Sequence, residues 1–311
     1  MYFPYVRGKQ FELIALRDLC SIFSDDILKT SPVIEPVKST STFKSTLKEL
    51  ASKNVNFNII INPRVGDLKG KHQEIVDVVS ESLQGYENYQ LAVILDDKSE
   101  RNIQTFIDFI GALNFNFNGV TLIHNSEVSG NNIELLTTNL NIVYNLIYFS
   151  KTSRRYYREF AQNTRVSLDD YFKEMPKNAD YLDLESSFSE EYKYYQEDGF
   201  VGFGDFLTIG DNYSDSGFLP RAVAIHLSYI DGNDRIRVKH FVSDSNGDVS
   251  DIGGKFSEAI HKLVTWCNQQ DIQTNAVNTF RDLHQRGHFP GLGTLKKLSI
   301  MNHIELVIKN I

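Results

Sequence analysis

The chain predicts an α/β fold: a TIM-like (β/α)8 barrel with an added C-terminal β-hairpin and a closing segment. Three observations carry that expectation. Short apolar runs that do not alternate recur along the chain, as strands buried on both faces of a parallel sheet do. Amphipathic stretches of helical period separate them, giving a βαβ rhythm. The runs number eight, at residues 31–37, 57–63, 90–96, 119–124, 142–149, 165–168, 200–206 and 221–229, enough to close a barrel. An open doubly wound sheet is the alternative. It lacks its Gly-x-Gly-x-x-Gly turn, because Gly66, Gly70 and Gly85 are spaced wrongly.

Taken in order, residues 1–10 are extended around Pro4, and FELIALRDLCSIF then turns helical, with Phe11, Ile14, Ala15, Leu19 and Ile22 expected on one buried face. SPVIEPV is a buried strand carrying Glu35. After the helix TSTFKSTLKELASKN, the strand FNIIINPR ends in Asn62, Pro63 and Arg64. A helix near 70–84 leads to YQLAVILDD, which ends in Asp96 and Asp97. RNIQTFIDFIGALN is helical, GVTLIHN ends in His124, and NIVYNLIYF follows a short helix at 131–139. SRRYYREFA is basic and reads as helix. An acidic, tyrosine-rich insertion at 171–198 precedes GFVGFGDF with its Asp205.

A bridge rich in Gly, Asp and Ser then leads to residues 221–229, a DGND turn and RIRVKHFVSD, which together read as a hairpin. The C-terminal decoration, residues 230–311, continues with helices at 254–268 and 273–285. In the closing segment, residues 304–308 read as strand. No linker demands a boundary, so residues 1–311 are expected to form a single barrel-like domain.

A formal charge of −8 argues against broad attraction to nucleic acid or anionic membrane, while leaving room for a local basic groove. Cys20 and Cys267 are isolated and read as buried thiols rather than zinc ligands. With no apolar run of membrane-spanning length and no signal-like h-region, the cytoplasm is the expected compartment and no membrane partner is expected.

In a parallel barrel, residues just beyond the strand C-termini meet at one mouth. By that rule Glu35, Asp96, Asp205 and His226 are the candidate catalytic acids and bases. Arg7, Lys9, Asn62, Arg64, Arg221, His240 and Lys296 are the candidate ligand-binding groups, and His124 occupies the same kind of strand end. Each has a structural alternative. Buried Glu35 needs a cation, most economically Lys9 or Arg7. Arg64 can tie down a loop, Asp96 can cap a helix, and a strand histidine can be a satisfied core group.

His226, His240 and Asp205 lack the compact spacing of a metal motif, so no metal site is predicted and the cofactor stays open. Gly291 and Gly293, before Lys296 and Lys297, permit a turn that either cradles an oxyanion or simply closes the fold.

MYFPYVRGKQFELIALRDL followed by SPVIEPV resembles the opening of the phage beta-protein family and its bacterial relatives. GFGDFLTIGD, AVAIHL, HFVSD and PGLGTLKKLSIMNHIEL look like later blocks of a bacterial branch. The resemblance spans nearly the whole chain and places Arg7, Lys9, Glu12 and Glu35 on the opening pattern. It implies a barrel-like protein of phage or mobile-element context and carries over no catalytic residue. Arg7, Lys9, Arg64, Arg221 and the Lys296/Lys297 pair suit a phosphate. The expected function is therefore an enzyme acting on a phosphate-bearing substrate, a nucleotide or nucleic acid, with the resemblance adding the context of phage–host conflict. A non-catalytic component that binds a protein through residues 180–198, and a glycoside hydrolase using Glu35 with Asp205, are the alternatives.

Overall fold

The computed structural model describes residues 1–214 and 219–311; residues 215–218 of the Gly/Asp/Ser-rich bridge lie outside the described residues. Seven parallel strands follow the chain around a closed barrel: β1 (Tyr2–Val6), β2 (Val33–Ile34), β3 (Phe57–Ile60), β4 (Tyr89–Leu95), β5 (Gly119–His124), β6 (Ile142–Tyr148) and β7 (Arg165–Asp169). β8 (Glu185–Ser187) leaves the barrel, and β9 (Gly202–Asp205) closes it by pairing with both β7 and β1. Helices α1 (Gln10–Ile22), α2 (Ser41–Ser52), α3 (His72–Ser82), α4 (Ile103–Gly111) and α5 (Gly130–Asn139) fill the early crossovers.

The barrel is as expected, but one strand was misplaced. Residues 2–6 supply β1, whereas residues 221–229 stand outside the barrel. Pro4 hides β1 in the sequence, because proline lacks the N–H that a central strand needs. The register resolves this: Pro4 pairs with Asp205 of β9, while on the other side β1 bridges Thr30 at Tyr2 and β2 at Tyr5 and Val6, so Pro4 has a ladder neighbour on one side.

Strand alternation sorts side chains into an inner and an outer layer. The interior is filled by Phe3, Tyr5, Val33, Ile60, Ala92, Ile94, Ile123, Leu146, Tyr148, Val166, Leu168 and Phe206. Gly202 and Gly204 face the same interior, where a side chain on either would collide with Phe3, so the bulk of that aromatic is matched by their lack of it. Asn58 accepts from Thr121 Oγ1 at 2.6 Å across the interior and donates to Ser31 Oγ at 2.9 Å, which pairs polar groups that are wholly buried.

Beside the barrel, β10 (Ala224–Ile230) and β11 (Ile236–Val242) form the expected antiparallel hairpin, and β8 adds a third strand, in the order β10-β11-β8. The insertion is thus part of a sheet, followed by a single turn of helix, α6 (Glu191–Tyr194). Helices α7 (Ile252–Gln269), α8 (Asn275–Arg286) and α9 (Leu292–Ile308) complete the chain, with α9 packed between α1, α8 and β10.

Residues 304–308 are therefore helical rather than strand. Buried side chains surround most of α9's circumference, and a helix that is apolar all round has no stripe by which to recognise it. The α1 face is also rotated from expectation: Leu13, Ala15, Leu16, Leu19 and Cys20 are buried, while Ile22 is 44% exposed. SRRYYREFA forms a 3-10 turn at Tyr156–Glu159 instead of an α-helix, enough to place Tyr156 and Phe160 against His124. Cys20 and Cys267 are free, buried thiols, each pushed up to about 12 by burial. Among the described residues no helix is long and apolar enough to cross a membrane.

Candidate functional site

Charged residues at the strand ends assemble into two separate places. The first is the barrel mouth. Arg7 follows β1 and Glu35 follows β2, both on the inward side. Glu35 is fully buried and its carboxylate is satisfied on all sides: Tyr5 donates to Oε2 at 2.7 Å, the Arg7 guanidinium donates to the same oxygen, and the Arg64 amide donates to Oε1 at 2.7 Å. The other end of Arg7 donates to the carbonyl and carboxylate of Asp211, and Tyr148 donates to Asp211 Oδ2 at 3.1 Å.

Burial pulls the Arg7 guanidinium down, yet Tyr5, Glu35 and Asp211 hold it above its ordinary value. Phe206 lies beneath, with its ring 4.6 Å from Tyr5 and 5.3 Å from Tyr148.

Arg64 and Asp96 extend this network, joined at 3.0 Å, with Arg64 also donating to the carbonyl of Ile94. Asp96 accepts from the Lys98 and Ser99 amides, so the helix-cap alternative holds for it. Asn62 is 2% exposed and spends its amide on the backbone of Ile94, donating to the carbonyl and accepting from the N–H at 2.8 Å each. Lys9 donates to the Ser214 carbonyl and lies 4.5 Å from the Tyr213 ring. The mouth thus brings together Arg7, Glu35, Asn62, Arg64 and Asp96 in an internally paired network closed by Asp211, in which Arg7 Nε and Arg64 Nε alone of its side-chain atoms are buried without a partner among the described residues. Asp170 is held above its ordinary value by burial and accepts from the Asp211 and Phe172 amides, tying the closing loop down.

Asp205 is not at the mouth. It is one residue out of phase with inward-facing Phe206 and points to the outer layer, where Tyr2 donates to Oδ1 at 2.8 Å and His303 of α9 lies 3.3 Å from Oδ2. Glu35 and Asp205 therefore face opposite sides of the barrel wall and do not flank one cleft, which removes the pair required for glycoside hydrolysis. His124 likewise faces outward, bonded to Tyr156 and Asn145 at 3.0 Å each, with burial lowering it to about 4.

The second place is a cavity of about 930 Å³ beside the mouth. Its walls come from the segments after β7 and β9, the start of β10, and the first turns of α9. Phe172, Tyr181 and His226 form part of the lining, with Lys177, Arg221 and Lys296 as its cations and Glu174 as its carboxylate. Lys296 reaches buried Glu12 at 3.1 Å, and Glu12 in turn accepts from the Arg7 amide at 2.7 Å. Among the described residues Lys177 and Arg221 have no carboxylate partner, and both are exposed.

Thr208, 2% exposed, also lines the cavity, and its hydroxyl has no hydrogen-bond partner among the described residues. Its neighbour Leu207 sits at φ 57, a costly conformation for a leucine, held by the bond from its amide to Asp205 at 2.9 Å. Gly291, at φ 92, is the N-cap of α9, so the glycine turn opens a helix whose first N–H groups stand near Lys296 and the cavity.

His226 and His240 face each other across the hairpin, Nδ1 to Nδ1 at 2.7 Å. Burial lowers His226 to about 3, with His240 the second cause; burial and then Lys239 lower His240 to about 4. Both rings are neutral at neutral pH. Of the predicted residues, then, the cavity gathers Arg221, His226 and Lys296, with His240 behind. Among the described residues no group of three His, Cys, Asp or Glu is arranged to hold a metal ion.

Sequence reasoning missed Tyr5, Tyr148, Asp170 and Asp211 at the mouth, and Lys177 and Thr208 in the cavity. The first three share inward parity with known strand residues and were accessible to that rule. Lys177 and Thr208 carry no local signal. Comparison with protein-family models, with curated proteins and with solved structures returned no match to this chain.

Proposed function

We propose that this protein is an enzyme that binds a phosphate-bearing small molecule of nucleotide size in the cavity beside the barrel mouth. One observation carries the reading: a cavity of about 930 Å³ lined by Lys177, Arg221 and Lys296, of which the first two meet no carboxylate of the protein among the described residues. That volume is in the range of ligand sites, on the order of 300–1,000 Å³. Cations that meet no carboxylate among the described residues favour an anion, and guanidinium matches phosphate geometry in particular.

The cavity lies on the segments that follow the last two barrel strands, where TIM barrels commonly hold phosphate. Phe172 and Tyr181 offer aromatic faces to the rest of the ligand. The likeness to the phage beta-protein family extends the proposal to phage–host conflict in the cytoplasm. Supporting it, Arg7, Glu12 and Glu35, which match that opening pattern, are linked by hydrogen bonds at this end of the barrel.

The test is calorimetric titration of the purified chain with nucleoside mono-, di- and triphosphates, sugar phosphates and their dephosphorylated counterparts. Phosphorus NMR of the bound mixtures then reports turnover. Phosphorylated compounds should bind at least ten-fold more tightly than their counterparts, and Arg221→Ala should lose about ten-fold, the scale of one hydrogen bond to a charged group. Equal affinity for both forms, or an Arg221→Ala variant that binds like the parent, overturns the proposal.

A further inference from the structure

The hairpin places two imidazoles in line between the cavity and the outer strand of the sheet. His226 lines the cavity, its Nδ1 lies 2.7 Å from Nδ1 of His240, and Nε2 of His240 lies 3.5 Å from Ser186 Oγ on β8. We propose that His226 and His240 form a proton relay, with His226 Nε2 as the acid–base group presented to the ligand and Ser186 as the exit. This rests on the cavity being the ligand site.

The chemistry follows from counting protons. A neutral pair carries two ring protons. One must lie in the Nδ1–H···Nδ1 bond, since two bare nitrogens or two N–H groups cannot sit 2.7 Å apart as a hydrogen bond. The other is then on Nε2 of whichever ring accepts. When His226 donates, its Nε2 is a bare lone pair and His240 carries Nε2–H toward Ser186. When His240 donates, His226 carries Nε2–H into the site and His240 Nε2 accepts from Ser186. The same pair thus presents a base or a donor without changing its net charge.

A ligand hydroxyl or a water is deprotonated as follows. Its O–H electron pair stays on oxygen and the proton goes to His226 Nε2. The Nδ1 proton of His226 passes to His240 Nδ1, and the Nε2 proton of His240 leaves through Ser186 to solvent. A bound oxyanion selects the resulting donor form.

The surroundings hold the pair neutral. Tyr181 and Phe172 pack on both rings, with Tyr181 4.6 Å from each. The charged groups nearby are Lys239 and Glu185 on the sheet, and Arg221, Lys177, Lys296 and Glu174 around the cavity. Glu185 is taken up by Tyr229, Arg237 and Lys239, and it acts on His240 against Lys239. Because each ring gives up one proton as it takes another, the relay passes protons without either ring having to become an imidazolium, the form that burial disfavours.

The experiment uses the full chain labelled uniformly with nitrogen-15, so that backbone amides of the cavity report binding and ring nitrogens report tautomers. It is titrated at neutral pH with inorganic sulfate, a dianion that does not titrate near neutrality. His226→Gln and His240→Gln assign the resonances. Sulfate should move His226 Nε2 into the protonated range and His240 Nε2 into the unprotonated range together. In His240→Gln, sulfate should still bind while His226 loses that coupled response. Sulfate that shifts cavity residues but leaves both tautomers untouched, or a response surviving intact in His240→Gln, overturns the relay and leaves the cavity reading standing. Sulfate that shifts nothing in the cavity overturns both.

Discussion

At the barrel mouth, the Arg7 and Arg64 guanidinium groups and the Glu35 carboxylate each meet a charged or hydrogen-bonding partner. In the cavity next to it, Arg221 and Lys177 meet no carboxylate among the described residues, while each place has buried polar atoms without a partner there: Arg7 Nε and Arg64 Nε at the mouth, the Thr208 hydroxyl in the cavity. The two places share residue types and lie on the same end of the barrel. What separates them is burial. A charge removed from water must be paired, so the more deeply Glu35 is buried, the more of its bonding capacity is spent within the protein. Charges that stay near solvent around an open volume keep theirs for a ligand.

Breaking the mouth should therefore cost stability first. Glu35→Ala leaves the buried Arg7 guanidinium with Asp211 as its carboxylate partner and strands the Tyr5 hydroxyl and the Arg64 amide, and loss of one member of a buried pair costs about 3–5 kcal/mol. Urea denaturation at neutral pH measures it. Glu35→Leu combined with Arg7→Met should recover part of that loss, because the two buried charges leave together while Tyr5, the Arg64 amide and Asp211 still lose their partners. A Glu35→Ala protein as stable as the parent but without activity would move the chemistry back to the mouth.

How much of this was legible in the sequence depended on whether a residue's neighbours are local. The barrel was readable from repeated apolar runs, and the Arg7–Glu35 pair from the need of a buried acid for a cation. Asp205 was misplaced because a strand end was taken as sufficient; the inward position belongs to Phe206, and one residue reverses the face. β1 was missed because Pro4 disguises a five-residue strand, and the α9 strand expectation failed because periodicity vanishes in a helix covered on most sides. The cavity was the least legible part. It draws on residues 172–181, 208–209, 220–226, 246 and 292–299, so Lys177 and Thr208 meet Lys296 only through the topology of the whole chain.

The second way to separate the two regions is acid. His240, 6% exposed, is lowered from 6.5 to about 4 by burial, then by Lys239, with Glu185 acting against this. Between those values the unfolded chain binds a proton that the folded chain refuses. The stability contribution is therefore whole above about pH 6.5 and is lost as pH falls toward 4, on the order of 3 kcal/mol in all. Denaturation free energies measured from pH 7 down to 4.5 should fall accordingly, and less steeply in His240→Gln. An unchanged slope in that variant would assign the acid sensitivity elsewhere and remove the neutral pair from the cavity wall.

The smallest expected effect concerns Asp96, which sits where the mouth reaches solvent. Its ion pair with Arg64 is 3.0 Å long, but both side chains are roughly a third exposed, at 27% and 30%. Pairs of that kind are worth about 0.2–1 kcal/mol. Its other task is to accept from the Lys98 and Ser99 amides, which an asparagine oxygen can also do. Asp96→Asn should therefore cost under about 1 kcal/mol, and Asp96→Ala about 1 kcal/mol more, because it also loses the cap. Neither should change the affinity of the cavity for a phosphorylated ligand. If Asp96→Asn alone abolished turnover while leaving binding and stability intact, the paired mouth would be acting on the ligand after all. The boundary between scaffold and site would then have to be drawn through Arg64.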